Sequence, residues 1–260
     1  MHWLDSSDDV VIQPSVDRAR FWRRRCGVDC IEVAERVVYA NNGHGKLFDA
    51  VCCALDHVGR TAAVHDQRQQ GYCHYRAPSS ERVTVYRVPE PAPYAAADLE
   101  FLISAGARQI VFVNGTGSLR PDLPVGSLLL PGELIREEGT SFHYAPPEVV
   151  LRTNDKLNER IRQAADALGV ELVDGKHWTT DAIHRTTFGK VERYRQLGAN
   201  SIDMELSALA GVAYYRQCTL SALLVVTDVA SRAHTWDGTA SARFEEGIQH
   251  AATIAARLFT

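Results

Sequence analysis

No run of apolar residues in this sequence approaches membrane-spanning length, and Met1 to Pro14 is too acidic and polar for a secretory signal. A cytoplasmic protein with no membrane partner is the expectation. Charge of one sign is also lacking. Lys and Arg total 28 against 32 Asp and Glu, and the net charge of −4 removes any bulk electrostatic case for nucleic acid. The one basic run, Arg18 to Arg25, reads as a solvated helix face. Cysteines are few, six in 260 residues, and none form a C-x-x-C pair. Cys26, Cys30, Cys73 and His74 match no familiar ligand set, so the thiols read as free and buried and no metal is expected. Repeats and low-complexity tracts are absent as well.

What the chain does have is apolar content enough for one large α/β domain. Its most informative stretch is Gln109 to Leu119. Ile110, Val111, Phe112 and Val113 read as a buried strand, and Asn114-Gly115-Thr116-Gly117-Ser118 as a tight turn that ends it. In an open α/β sheet, ligands bind at the carboxyl ends of strands. Gly115 and Gly117 allow close backbone approach, and amide N–H groups with the Thr116 hydroxyl suit an anion or sugar hydroxyls. A plain strand-to-loop turn fits this segment equally well.

Around that stretch the chain reads as alternating strands and helices. Residues 1 to about 35 look like an irregular extension carrying one helix. Val37 to Tyr39 is a strand, and Asn41 to Lys46 a Gly-containing turn before a helix over Leu47 to Leu55. His65 to Arg82 reads as a surface excursion or flap. Val83 to Val88 is a strand broken by Pro89-Glu90-Pro91-Ala92-Pro93, and a helix from Tyr94 to Ala105 completes a crossover of the parallel kind. A strand over Val125 to Leu130 is expected to leave through Pro131-Gly132. An amphipathic helix follows over Asp155 to Leu168, with Leu157, Ile161 and Ala165 on one face. A strand from Val170 to Val173 continues to Thr179-Thr180-Asp181, and Phe188 to Leu197 is helical. Asp203-Met204-Glu205 precedes another helix. Ala222 to Val226 is a central strand ending at Thr227-Asp228, and Thr239 to Leu258 is the last helix.

Three polar clusters therefore sit at strand ends or helix starts: Asn114 to Ser118, Asp203 to Glu205, and Thr227-Asp228. Strand ends of one sheet converge on one rim, so these clusters can share a pocket. A carboxylate there has two uses, accepting hydrogen bonds from vicinal sugar hydroxyls or donating a proton to a leaving group. The structural alternatives are a first-turn carboxylate for Glu205 and a cap or turn residue for Asp228.

The order of these motifs resembles the nucleoside phosphorylase family, which contains purine nucleoside phosphorylase, uridine phosphorylase and the related nucleosidases. The motifs are the Gly-Thr-Gly segment, Val-Gly-Ser-Leu-Leu-Leu, Glu-Gly-Thr-Ser-Phe-His-Tyr, Thr-Thr-Asp-Ala, Asp-Met-Glu-Leu-Ser-Ala-Leu and the strand ending Thr-Asp. The resemblance is clearest from about Val83 onward. It implies a single three-layer α/β/α domain spanning residues 1–260, with a mixed, partly barrelled central sheet, assembled as a dimer, trimer or hexamer. It also implies an anion site at Gly115, Thr116 and Gly117, with Met204 beneath a ribose and Glu205 on its 2′ and 3′ hydroxyls. Asp228 corresponds to the acid serving N7 of a purine. No cofactor is implied beyond inorganic phosphate as co-substrate.

The departures from the family pattern are specific. Val113 stands where a phosphate-binding Arg is common, and the Gly-Asp-Pro turn is missing, with Gly43 to Lys46 its nearest counterpart. Pro89 to Pro93 replaces a Gly-x-Gly segment. Ile183, beside His184, takes the position of the base-stacking aromatic. Thr187 and Gly189 stand near the Gln-x-Arg pair that reads uracil. The leading expectation is phosphorolysis of a purine nucleoside, with Lys46, Arg120 or a neighbouring subunit's arginine serving phosphate. Hydrolysis by water and a non-catalytic nucleoside-binding protein are the alternatives.

Overall fold

Side chains alternate across a strand, and in this chain both faces of the central strands are apolar, so helices must cover both. Val37 and Tyr39 of β1 (Arg36–Asn41), Ile110 and Phe112 of β5 (Gln109–Ser118) and Leu224 and Val226 of β9 (Thr219–Val229) enter one core. That core is closed by α1 (Pro14–Cys26), α3 (Ala92–Ser104) and α6 (Leu206–Tyr215), through Trp22, Leu99, Leu102 and Leu209. The intervening residues, Val38, Ala40, Val111, Val113, Leu223 and Val225, enter a second core on the other face. It is closed by α2 (Leu47–His57), α4 (Asp155–Asp166) and α7 (Ala242–Arg257), through Phe48, Ile161 and Ile248. The three-layer α/β/α architecture follows. The computed structural model describes residues 11–27, 30–41, 46–57, 65–67, 72–76, 82–230 and 238–259.

The remaining strands are β2 (His65–Gln67), β3 (Tyr72–Arg76), β4 (Arg82–Val88), β6 (Leu128–Glu137), β7 (Leu172–Thr180) and β8 (Ala199–Asp203). The sheet order is β2-β3-β4-β1-β5-β8-β7-β6-β9, and β9 also pairs with β5. That last pairing closes β5, β8, β7, β6 and β9 into a five-stranded barrel, with β1 to β4 as an open wing. Strands β4, β1, β5 and β9 run parallel to one another, so their carboxyl ends lie on one rim. Among the described residues no helix is long and apolar enough to cross a membrane.

Several sequence expectations are corrected. Asn114 to Ser118 is not a turn. β5 continues through it to Ser118, paired along its length with β9 and irregular only between Thr116 and Gly117. Pairing to β1 ends at Val113 and pairing to β8 begins at Gly117, so the edge of β5 is open at Asn114, Gly115 and Thr116. The 65–82 excursion contains β2 and β3, an antiparallel extension of the sheet onto β4 with Tyr72, Cys73 and Tyr75 buried. β6 begins at Leu128 and passes through Pro131-Gly132 to Glu137. Its register against β7 shifts between Pro131 and Leu134, where proline has no N–H to donate. β8 was absent from the sequence reading because its polar residues hide the alternation. The cysteines are not uniformly buried, since Cys30 and Cys53 are exposed while Cys52 and Cys73 are in the core.

The N-terminal segment is more than an appendage. Trp22 is fully buried, and Phe21 stacks on Phe101 of α3 at 3.9 Å between ring centroids. Arg18, Arg20, Arg23 and Arg24 are exposed, as a solvated face requires. Replacing Trp22 with Ala is expected to lower unfolding stability by about 3 kcal/mol, the scale of an aromatic-to-alanine cavity. A urea-melt midpoint unchanged by the substitution would show that α1 is not docked.

Candidate active site

The open edge of β5 faces a cavity of about 450 Å³ on the common rim. Its walls come from every strand end that reaches that rim. Asn41 ends β1, Glu90 follows β4, Asn114 to Gly117 belong to β5, Asp203 ends β8 with Met204 and Glu205 after it, and Thr227 and Asp228 close β9. Ile183, Thr186, Phe188, Val191, Ile202 and Ala230 form a mostly apolar remainder. The three clusters separated in sequence are thus brought together.

Glu205 and Asp203 divide two tasks. Asp203 accepts from the Leu206 N–H at 3.0 Å and from the Thr179 hydroxyl at 2.8 Å, so it caps the start of α6. Its Oδ1 also lies 2.8 Å from Nε2 of His177, a fully buried histidine whose Nδ1 is 2.8 Å from the Ser201 hydroxyl. Glu205 makes no cap to its helix. Its Oε2 accepts from Asn114 Nδ2 and from the Met204 N–H, each at 3.2 Å, and the residue lines the cavity. Glu205 therefore stands at the N-terminal end of α6 and also lines the cavity. Burial pushes its carboxyl well above the usual carboxylate value, and the Asp203 and Glu90 charges push the same way. The Met204 N–H and Asn114 oppose them more weakly.

Asp228 lies across β5 from the β1 edge. The Thr227 hydroxyl, 2.6 Å from Asp228 Oδ1 and 3.1 Å from the Thr116 carbonyl, has one proton to give to either. Gly117 is glycine for a local reason. A Cβ there would sit 3.1 Å from Ile202 Cγ2 and 3.4 Å from Asp228 Oδ2, crowding the acid. The Thr116 hydroxyl donates to the Ile202 carbonyl at 2.7 Å, which ties β5 to β8 behind the cavity wall.

Of the residues singled out from sequence, Gly115, Thr116, Gly117, Ile183, Met204, Glu205 and Asp228 line the cavity. Two do not. Lys46 forms an ion pair of 2.6 Å with Glu245 of α7, and it borders a small separate space behind Asn114 and Gly115. His184 lies on an exposed 3₁₀ turn over Ile183–Arg185 and is not among the residues that line the cavity. Arg120 also serves elsewhere, paired with Asp122 and 3.4 Å from Asn200 Oδ1. Asn42 to Gly45, the remainder of the proposed phosphate turn, lies outside the described residues.

Sequence reasoning missed Glu90 and Phe188. Phe188 supplies an aromatic at the apolar end, five residues after the position where one was sought. Its signal was only the aromatic that opens α5. Glu90 was hidden in a proline run that looked like a strand breaker. Its signal was position, since it immediately follows a parallel strand and so had to reach the same rim. Asn41 Nδ2 donates to Glu90 Oε1 there. The α3 start is tied to the Asp203–Glu205 segment by Ala92 N–H donating to the Met204 carbonyl at 3.1 Å. Four carboxylates line the cavity, those of Glu90, Asp203, Glu205 and Asp228, and no Lys or Arg does among the described residues.

The family model described as the phosphorylase superfamily matches residues 49–260. The chain belongs to that superfamily. The match begins ahead of Val83, so it takes in α2 and the β2–β3 wing as well as the barrel. Uridine phosphorylase of Haemophilus influenzae is 24% identical over 131 residues, covering 45% of this chain and 52% of the relative. This phosphorylase-superfamily chain therefore spans about half the length of that curated relative. Among solved structures, purine nucleoside phosphorylase from Toxoplasma gondii in complex with immucillin-H superposes with a TM-score of 0.74 at 20% identity, covering 87% of this chain and 90% of that one. AMP nucleosidase from Bacteroides thetaiotaomicron gives 0.67 at 20% identity, covering 92% and 96%. At such identities these likenesses speak for the fold.

Proposed function

We propose that this protein cleaves the N-glycosidic bond of a purine nucleoside or a derivative of one, with water as the nucleophile. Breaking that bond builds positive, oxocarbenium-like character on the sugar and negative charge on the base. Groups that meet those charges favour the transition state over the bound substrate. In this reading Met204 lies beneath the ribose, Glu205 accepts from its 2′ and 3′ hydroxyls, and Asp228 protonates the base at N7. Phe188 and Ile183 flank the base. The purine assignment rests on Asp228 and on Thr187 and Gly189 standing where a uracil reader needs Gln and Arg. The curated relatives matched here are named uridine phosphorylases, which makes the choice of base a point to test directly.

The observation that carries the choice of nucleophile is the acidity of the cavity. Each unit-charge repulsion between a phosphate and a carboxylate about 4 Å away costs roughly 1 kcal/mol in water and about 4 kcal/mol at a protein surface. Four acidic side chains line the cavity and no described cation does, which leaves a phosphate without a charge partner and favours a neutral nucleophile. This departs from the phosphorolysis expected from sequence order. Phosphorolysis stays as a second reading because the open Asn114–Thr116 edge offers backbone donors and Lys46 borders the space behind Gly115.

Inosine, adenosine and uridine incubated with and without inorganic phosphate separate these readings. The expected result is purine release at the same rate in both buffers, with free ribose as the product. Ribose 1-phosphate in the phosphorus-31 spectrum, formed only with phosphate present, would establish phosphorolysis instead. Faster cleavage of uridine than of either purine nucleoside would overturn the assignment of the base.

A further inference from the structure

Hydrolysis needs a group to take the proton of the attacking water, and the carboxylates of the cavity are not equally available for that work. Asp203 is engaged at both oxygens, by the Thr179 hydroxyl at Oδ1 and the Leu206 N–H at Oδ2. Glu205 presents one oxygen from beside Met204, the place for sugar hydroxyls. Asp228 ends β9, on one side of β5. Glu90 follows β4, which lies beyond β1 on the other side of β5. Attack at C1′ comes from the face opposite the departing base, so a base-protonating acid and a water-activating base belong on opposite sides of the sugar. Glu90 and Asp228 are the pair with that arrangement across the open edge of β5.

The local chemistry of Glu90 fits. Asn41 holds its Oε1, which orients the carboxylate and leaves Oε2 for a water. Pro89 and Pro91 on either side restrict the backbone φ of the segment, and Ala92 N–H bonded to the Met204 carbonyl fixes it against the ribose-side residues. The side chain is solvent-exposed at the cavity wall, where water is at hand.

Resting on the hydrolytic reading above, we propose that Glu90 is the catalytic general base, with Asn41 as its positioning residue. As the C1′–N bond breaks, the water oxygen bonds to C1′ and one water proton passes to Glu90 Oε2. The proton carried by the Asp228 carboxyl passes to N7 of the leaving purine. The products are free ribose and the neutral base, and exchange with solvent moves the proton from Glu90 back to Asp228.

The test uses the full chain, with adenosine as probe. Glu90→Gln keeps an acceptor for Asn41 and is expected to lower kcat about 100-fold with KM changed less than threefold. Glu90→Ala is expected to fall as far and to regain at least tenfold on adding formate, a small carboxylate able to occupy the vacated space. Unchanged thermal melting in both variants shows that the fold is retained. Should the wild-type protein release free ribose while Glu90→Gln turns over within threefold of it, this inference fails and the hydrolytic reading stands. Loss in Glu90→Ala with no formate response assigns the residue a structural part and likewise overturns the proposal. A wild-type protein that yields only ribose 1-phosphate overturns the hydrolytic reading, and Glu90 as water base falls with it.

Discussion

Asp228→Asn is expected to lower kcat/KM for a purine nucleoside by about 10²–10⁴-fold, the range for removing a general acid. An asparagine amide can hydrogen-bond N7 but has no proton to transfer, so negative charge on the leaving base goes unmet. The fold should be indifferent to the change. Asp228 is half-buried at the end of β9, caps no helix, and its Thr227 partner can donate equally to an amide oxygen. Kinetics on inosine together with thermal melting check both halves. A riboside with an electron-poor phenol as leaving group needs little protonation, so its cleavage should drop far less. Wild-type turnover of inosine by the variant would refute the assigned role.

Glu205→Gln is expected to separate function from stability. Two charge-assisted hydrogen bonds to the ribose, each worth about 1.5–3 kcal/mol, become neutral ones, and kcat/KM should fall by roughly 10³-fold. The folded protein should gain on the order of 1–3 kcal/mol at neutral pH, the scale of a buried polar group short of partners. The direction follows from proton linkage. Burial and the nearby acids raise the Glu205 carboxyl above its ordinary value of 4.5, so the folded state holds a proton that the unfolded chain releases. The contribution of Glu205 to stability is thus fully present below that value and is lost as pH rises through the folded one. Glutamine cannot ionise, so the melting-temperature gap between variant and wild type should widen from pH 4 upward and then level off. A variant less stable than wild type at pH 7 would show that the carboxylate is compensated.

Both expectations express one property of the cavity. It gathers four acidic side chains with no described Lys or Arg among the lining residues. Asp203 is kept in place by the α6 N–H and by hydroxyls, whereas Glu205 has only Asn114 and one backbone amide. The better-satisfied acid builds the helix start, and the poorly satisfied one lines the cavity with fewer partners.

By itself the sequence determined the layers, because alternation and helical periodicity are local properties of consecutive residues. Val37 to Tyr39, Ile110 to Val113 and Ala222 to Val226 announced apolar strands, the last of them central. Leu157, Ile161 and Ala165 announced a helix that covers them. Motif order also pointed to the superfamily, which the family match bears out, and singled out Glu205 and Asp228, which the fold brings to one cavity. What only the tertiary structure decided involves partners distant along the chain. Lys46 stood out in sequence as a phosphate ligand, and only the fold pairs it with Glu245 of α7, 199 residues later. Asn114 to Thr116 looked like a turn because glycines interrupt apolar runs. The segment is instead a strand edge, open because β1 stops pairing at Val113 before β8 begins at Gly117. Glu90 looked like punctuation, since no local pattern tells a loop carboxylate which strand ends will stand beside it. Parallel pairing of β4, β1, β5 and β9 supplies that information, and it sets Glu90 and Asp228 on opposite sides of one pocket.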